Sequence, residues 1–306
     1  MKKILSISAF FILLIGLGVL FLQGNKPLKL SLKDRMVLKA YSMFDDSRYV
    51  CPLGDINHKL DKYTTKELEQ INEDFHLLKE YTFAKAKKGK SFIATAGGPA
   101  SFKSTALENE IDGQGYAFID PDKSCLFRME KTYLRDIRSK TRTPEEAYNH
   151  WREASHFLAG TFLGYALKHG YIIAHGTTST APNVETFMNC VKDYGYHFHL
   201  LHMSAPDHVR IQADKIKKKN GMFQCTEEDL IRKGKWFYER LPVYLRVADK
   251  ITFYVKEDIG TISRPVAVKR GNKFSVKDQA GYDLVIKLHN EAQGDQFFQK
   301  LIASND

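Results

Sequence analysis

Phe92-Ile93-Ala94-Thr95-Ala96-Gly97-Gly98-Pro99-Ala100-Ser101-Phe102-Lys103-Ser104-Thr105 is the stretch whose reading decides the fold. A short apolar run leads into a Gly-rich turn, then a lysine followed by two hydroxyl residues. Read from Gly97 to Ser104, it follows G-x-x-x-x-G-K-[ST] with one departure, the grammar of a phosphate-binding loop between a strand and a helix. Gly97 and Gly98 let backbone N–H groups, Ser101 among them, curl around phosphate oxygens, and Lys103 brings a positive charge to the terminal phosphates. Ser104 is placed to ligate Mg²⁺, Thr105 follows it, and the helix starting there points its positive dipole end at the anion. The departure is Phe102, which stands where the pattern has its second Gly. A Cβ and a ring there restrict the backbone and are expected to crowd the phosphates. The alternative for the same residues is a plain Gly-Pro turn with Lys103 solvated.

Working outward, strand-like runs at Ser91–Ala96, Tyr116–Ile119, Tyr171–Ala174, His197–Met203 and Ile251–Val255 alternate with helical stretches at Glu145–Lys168, Asn183–Tyr194 and Glu227–Val247. Such alternation predicts an α/β fold, here a five-stranded parallel sheet flanked by helices. The strands read as continuous apolar runs, as expected when helices cover both faces. The second strand ends in Ile119-Asp120-Pro121-Asp122. Ligands in an open parallel sheet sit beyond the carboxyl ends of the strands, so both carboxylates should face the phosphate loop. One can hold Mg²⁺ while the other accepts a proton from a substrate hydroxyl. The competing reading is an Asp-Pro-Asp turn that caps the next helical turn.

Gly97-Gly98-Pro99-Ala100-Ser101-x-Lys103-Ser104-Thr105, Ile119-Asp120-Pro121-Asp122 and Trp151-Arg152-Glu153-Ala154-Ser155 together resemble the zeta toxin family. So do His175-Gly176-Thr177, Gly195-Tyr196, Ser204-Ala205-Pro206 and Leu241-Pro242, in the family's order and spacing from about Ser91 to Val255. The resemblance implies a P-loop kinase that uses ATP and Mg²⁺ to phosphorylate a hydroxyl of a small molecule, UDP-N-acetylglucosamine being the family's best-known acceptor. By resemblance Asp122 activates that hydroxyl, and Lys103 and Ser104 serve phosphate and metal, the latter with Asp120. Glu153, His175 and Thr177 line the substrate side. Arg210 and Lys217 match the basic lid imperfectly, because the family ordinarily uses arginines and Gln224 falls near the second of them. His175 stands where the family often has an acid. An antitoxin is a partner the resemblance allows. The alternatives are a nucleotide-binding pseudokinase or interaction module with a degenerate loop, and a kinase of the chloramphenicol phosphotransferase sort.

The remaining sequence sets the organisation. Met1-Lys2-Lys3 precedes an apolar run, Ile4 to Leu22, close to the ~20 residues that span a bilayer, and no convincing cleavage site follows. Residues 1–25 are thus expected to be an uncleaved single-pass membrane anchor with the kinase domain in the cytoplasm, a cleaved secretion signal being the alternative. Residues 26–90 read as a helical lead-in, in which Thr64-Thr65-Lys66-Glu67 starts a helix and Leu68, Ile71, Phe75 and Leu78 form its apolar face. Residues 91–258 form the kinase domain. Residues 259–306 read as a small β-rich appendage, with strands at Pro265–Lys269, Lys273–Val276 and Asp283–Lys287 and a terminal helix. Cys51, Cys125, Cys190 and Cys225 lie far apart with no C-x-x-C pair, which disfavours zinc and disulfides. His197 and His199 share a strand face, but with no third ligand evident they and His202 read as packing residues. The formal net charge of +10 suits anionic partners, and no basic tract alternates with aromatics to suggest a nucleic-acid platform.

Overall fold

The computed structural model describes Leu60 and residues 62–303. The expected anchor, most of the lead-in and Cys51 lie outside the described residues. Among the described residues, no helix is long and apolar enough to cross a membrane.

The lead-in ends in α1, Thr65–Phe83, whose capping box is formed as the sequence implies. The Thr64 hydroxyl accepts from the Glu67 N–H while the Glu67 carboxylate accepts from the Thr64 N–H. Leu68, Ile71, Phe75 and Leu78 are all buried. The chain then runs through β1 (Ser91–Ala96), α2 (Lys103–Ile111), β2 (Ala117–Ile119), a single π-helical turn at Pro121–Cys125, and α3 (Tyr133–Ser139). It continues through α4 (Pro144–His169), β3 (Ile173–His175), α5 (Val184–Asp193), β4 (His197–Ser204), α6 (Asp207–Lys219) and α7 (Glu227–Glu239). The last elements are α8 (Leu241–Val247), β5 (Lys250–Val255), β6 (Arg264–Arg270), β7 (Lys273–Val276), α9 (Gln279–Gln293) and α10 (Phe297–Ala303).

Among the described residues, one sheet holds every strand, in the order β2-β3-β1-β4-β5-β6-β7. The first five are parallel, as expected, and β6 and β7 then continue the sheet antiparallel. Three expectations are corrected. The sheet is seven-stranded and mixed, because β6 hydrogen-bonds along β5 and extends the sheet without a break. Asp283–Lys287, read as a strand, lies inside α9, where Tyr282, Val285 and Leu288 bury one helical face. The expected helix Glu227–Val247 is broken at Arg240, where Pro242, without an N–H, starts the new helix α8.

Side chains alternate across the sheet with period two. Phe92 and Ala94 of β1 and Phe198 and Leu200 of β4 join the large core beneath α1, α4 and α7–α9. Ile93, Leu201 and Met203 face the other way, against Ala106 and Leu107 of α2. Both faces are therefore covered, and polar chemistry is left to the strand ends. β1 lies between β3 and β4, where the connections leave in opposite directions, and this opens a crevice at its carboxyl end.

Candidate active site

The phosphate loop occupies that crevice. Gly97 donates its N–H to the Thr178 carbonyl, and a Cβ on Gly97 would lie 2.6 Å from Ser101 Oγ and 2.9 Å from the Met203 carbonyl. Only glycine lets the loop lie this close to β4. Phe102 has φ +64° and Ala100 φ +60°, so the backbone takes the left-handed turn that glycine would take, with non-glycine residues. The Phe102 ring turns out of the loop toward Ala106 and Tyr254, with Lys256 Nζ 4.4 Å from its centroid. Its packing offsets part of the strain of an αL phenylalanine.

Lys103 folds back across the loop, its Nζ donating to the Gly98 carbonyl at 2.6 Å and lying 3.4 Å from Ser101 Oγ. Burial, reinforced by Lys217 and Arg210, pulls the Lys103 ammonium down to about 7. Arg210 is almost fully buried between two glycines. Its Nη1 donates to Leu230 O at 2.9 Å, and its Nη2 pairs with Asp207 at 2.5 Å. A Cβ on Gly98 would meet Arg210 Nη1 at 2.6 Å, and one on Gly234 would meet Nη2 at 2.1 Å. Ser104 and Thr105 stand in the first turn of α2, Ser104 half-buried and Thr105 exposed.

The two carboxylates after β2 divide their work. Asp120 Oδ1 accepts from the N–H groups of Asp122 and Lys123, each at 2.8 Å, so Asp120 caps the π-helical turn as the competing reading had it. Its other oxygen presses against Gly176, where a Cβ would lie 1.9 Å away. Burial raises its pKa. Asp122, aimed by that turn, has an Oδ1 shut off from solvent with no hydrogen-bond partner. Burial, then the neighbouring Asp120 charge, push it up to about 6, against Arg152, Lys217 and Lys233.

The basic groups come from three helices. Lys217 of α6 donates to Gln224 Oε1 at 2.7 Å, so the two residues that fit the family's lid poorly are partners in space. Burial lowers the Lys217 pKa. Lys233 of α7 and Arg152 of α4 act electrostatically on Asp122, and no local spacing rule marks either of them for that place. Glu153 itself is exposed and pairs with Lys62 at 3.4 Å, apart from the Asp122 group.

The loop after β3 is stapled to the end of β1. Thr95 Oγ1 donates to the Thr177 carbonyl at 2.6 Å and accepts from the Thr177 N–H at 2.9 Å, and Ser179 Oγ donates to the Thr95 carbonyl. Thr177 thus shapes the wall of the crevice. His175 Nδ1 donates to the Ile119 carbonyl at 3.0 Å, tying β3 to the end of β2, and burial lowers its pKa to about 4. Its ring is a neutral strut. His199 is buried against Thr252 Oγ1 at 2.9 Å, and His202 packs among Phe237, Tyr244, Phe253 and His289. Cys125, Cys190 and Cys225 are buried and form no disulfide among the described residues.

No protein-family model matches the chain, and no curated protein matches it in sequence. Solved structures do. The AvrRxo1-ORF1:-ORF2 structure with ATP aligns at a TM-score of 0.57 and 15% identity, covering 74% of this chain and 73% of that one. The native AvrRxo1-ORF1:-ORF2 complex gives 0.56 and 13%, covering 83% and 88%. A structure of the PezAT chromosomal toxin–antitoxin system of Streptococcus pneumoniae gives 0.52 and 12%, covering 80% and 95%. At these identities the likeness is one of fold, and the chain shares the fold of the AvrRxo1-ORF1:-ORF2 and PezAT structures.

Proposed function

We propose that this protein is an ATP-dependent phosphotransferase that moves the γ-phosphate of ATP to a hydroxyl of a small molecule. The observation that carries this reading is Asp122: a carboxylate with a buried, unpartnered oxygen, raised to about 6, set behind a phosphate loop that holds a buried lysine. An oxygen left without a partner in a buried place costs free energy unless a ligand supplies the donor. A substrate hydroxyl would do so, and Asp122 would take its proton as the oxygen attacks phosphorus.

The other residues take roles that follow from their positions. Loop amides and Lys103 hold the terminal phosphates, and Arg210, Lys217 and Lys233 neutralise charge on the transferring group. A polyanion drawing on Lys103 raises the pKa of that lysine and keeps it charged. The base of ATP fits the cleft of about 350 Å³ beside α2, lined by Thr105, Asn109, Tyr254, Lys256 and Ile262. One relative of this fold was solved with ATP, which supports the choice of nucleotide. For Mg²⁺, the residue that fits is Ser104 in the first turn of α2, the free oxygen of Asp122 being kept for the substrate proton. Asp120, committed to capping through Oδ1, fits through a water. The ion would supply charge neutralisation between the phosphates.

The cations around Asp122 favour an acceptor that is itself anionic, and UDP-N-acetylglucosamine heads the panel on family resemblance. Relatives of this fold were solved as two-protein complexes, one a toxin–antitoxin system, and we extend an antitoxin-type partner to this chain on that basis. The deciding experiment pairs ATP·Mg²⁺ calorimetry with γ-phosphate transfer across the substrate panel, on the full-length protein. Micromolar binding abolished in Lys103→Ala, with transfer abolished but binding kept in Asp122→Asn, is the expected result. Binding without transfer to any alcohol would leave a nucleotide-binding module, and no binding would overturn both.

A further inference from the structure

The strand ends opposite the phosphate loop form a second surface, used by neither the nucleotide site nor the core. Lys88 bridges to Tyr171 just ahead of β3, and Lys90 immediately precedes β1. His197 opens β4 opposite Ser91, and Lys250 opens β5 opposite Arg270 at the end of β6. Arg270 pairs in turn with Lys273 at the start of β7. One basic residue per strand, at the ~4.8 Å strand spacing, makes a row roughly 24 Å long across six neighbouring strands. Lys85, Lys87 and Lys168 widen it, and all three are exposed, as are Lys88, Lys90, Arg270 and Lys273. The flanking turns contribute two exposed carboxylates, Asp112 and Asp193, while Asp249 is engaged by Lys192 at 2.8 Å.

The run Lys85–Lys90 is built into this edge. Lys87 N–H donates to Gly115 O and Gly89 N–H to Gly170 O, each at 2.8 Å, and Ile172 N–H donates to Lys87 O at 2.9 Å. A Cβ on Gly89 would lie 2.6 Å from Ile172 Cγ2, so only glycine lets the basic segment lie flat on the sheet end. The tyrosines here are already covered: Lys88 Nζ lies 3.4 Å from the Tyr171 ring centroid, Lys90 Nζ 4.5 Å from that of Tyr196, and Lys79 Nζ 4.7 Å from that of Tyr165. No free aromatic platform remains among them for stacking bases, which nucleic-acid grooves of the single-strand type use.

We propose that this amino edge of the sheet docks on an anionic lipid bilayer, with the catalytic crevice turned away from the membrane. A broad row of lysines and arginines matches a plane of negative headgroups. The same chain carries the apolar run Ile4–Leu22. Among the ends of the sheet, charge selects this one for the bilayer.

The test uses full-length protein and vesicles of phosphatidylcholine alone or with 30% phosphatidylglycerol, read by co-sedimentation. The apolar run contributes to both partition coefficients, so their ratio isolates the basic edge. Each lysine near an anionic surface is worth about fivefold in affinity. Lys87→Glu/Lys273→Glu is therefore expected to lower the ratio by about 25-fold or more, and 0.5 M salt should do the same to the wild type. Lys215→Glu/Lys219→Glu, exposed on α6 at the crevice side, changes net charge equally and should lower it less than threefold. Equal partition onto the two vesicle types, or an equal loss in the α6 variant, would overturn the proposal. So would duplex RNA that binds more tightly than the vesicles and is released by the same Lys87/Lys273 variant, since the edge would then serve nucleic acid.

Discussion

At the scale of single residues, Phe102 and Asp122 are where local rules are broken. Phe102 holds φ +64°, a conformation that costs an L-residue roughly 1–2 kcal/mol and glycine little. Its ring recovers part of this through Tyr254, Ala106 and Lys256. Phe102→Ala, which keeps the strain and loses the ring, should therefore be the less stable of two variants. Phe102→Gly should exceed it by about 1 kcal/mol in chemical denaturation. Asp122 is expected to set the acid limb of kcat/KM, with activity rising as pH passes about 6 and the carboxylate ionises. Lys103, lowered to about 7 in the free protein, should set the alkaline limb for ATP, since only its charged form attracts phosphate. The profile should be a narrow bell, and Asp122→Asn should cost on the order of 10²–10⁴ in transfer rate. A flat profile between pH 6 and 8 would remove Asp122 from the role of base.

At the scale of elements, the contact between α6, α7 and the phosphate loop carries the clearest prediction. Gly234 sits inside α7, and by helix propensity alone Gly234→Ala should stabilise by about 1 kcal/mol. The added methyl would stand 2.1 Å from Arg210 Nη2, in a place where the guanidinium is held to Leu230 and Asp207. Gly234→Ala should thus displace Arg210 and lower kcat at least tenfold, with melting temperature little changed. Wild-type kcat in the variant would mean that Arg210 does not work from this position. Some of this scale was legible in the sequence. The capping box at Thr64 and the start of α4 after Thr143 are local chemistry, and both are formed. The break at Arg240 was signalled by Pro242 and was missed because the apolar spacing runs straight through it. Asp283–Lys287 was misread because so short an apolar run is ambiguous, and burial against β5 and β6 chose the helix.

At the scale of the whole molecule, buried histidines tie stability to pH. His202 and His289 are fully buried with rings stacked at 5.1 Å, and neither ring has a hydrogen-bond partner. Burial lowers His202 to about 3, and His289 well below its usual value. Their folded pKa values lie under the unfolded ~6.5, so between about 3 and 6.5 the unfolded chain binds protons that the folded one does not. Stability from this source is lost as pH falls through that window, by about 1.4 kcal/mol per pH unit for each ring. Raised carboxylates such as Asp74 and Asp122 act in the opposite sense, so a difference measurement isolates the ring. The unfolding free energy of His202→Gln minus that of the wild type should shift by about 2 kcal/mol in favour of the variant from pH 7 to pH 5. An unchanged difference would mean that the site admits protons freely when folded.

The sequence alone determined the α/β class, the five parallel strands, the Gly-rich turn between β1 and α2, and the place of Asp120 and Asp122 at the end of β2. These follow from periodicity and from motifs whose spacing is dictated by contacts within a few residues. Tertiary structure decided what depends on partners distant in the chain. It continued the sheet through β6 and β7, because β5 offered an unpaired edge. It turned the Phe102 ring toward Lys256, 154 positions away, and left Asp120 as the cap that aims Asp122. It joined Lys217 to Gln224 and brought Lys233 and Arg152 to the carboxylate while leaving Glu153 with Lys62. Charge and burial act through space, and a linear pattern records only the neighbours along the chain.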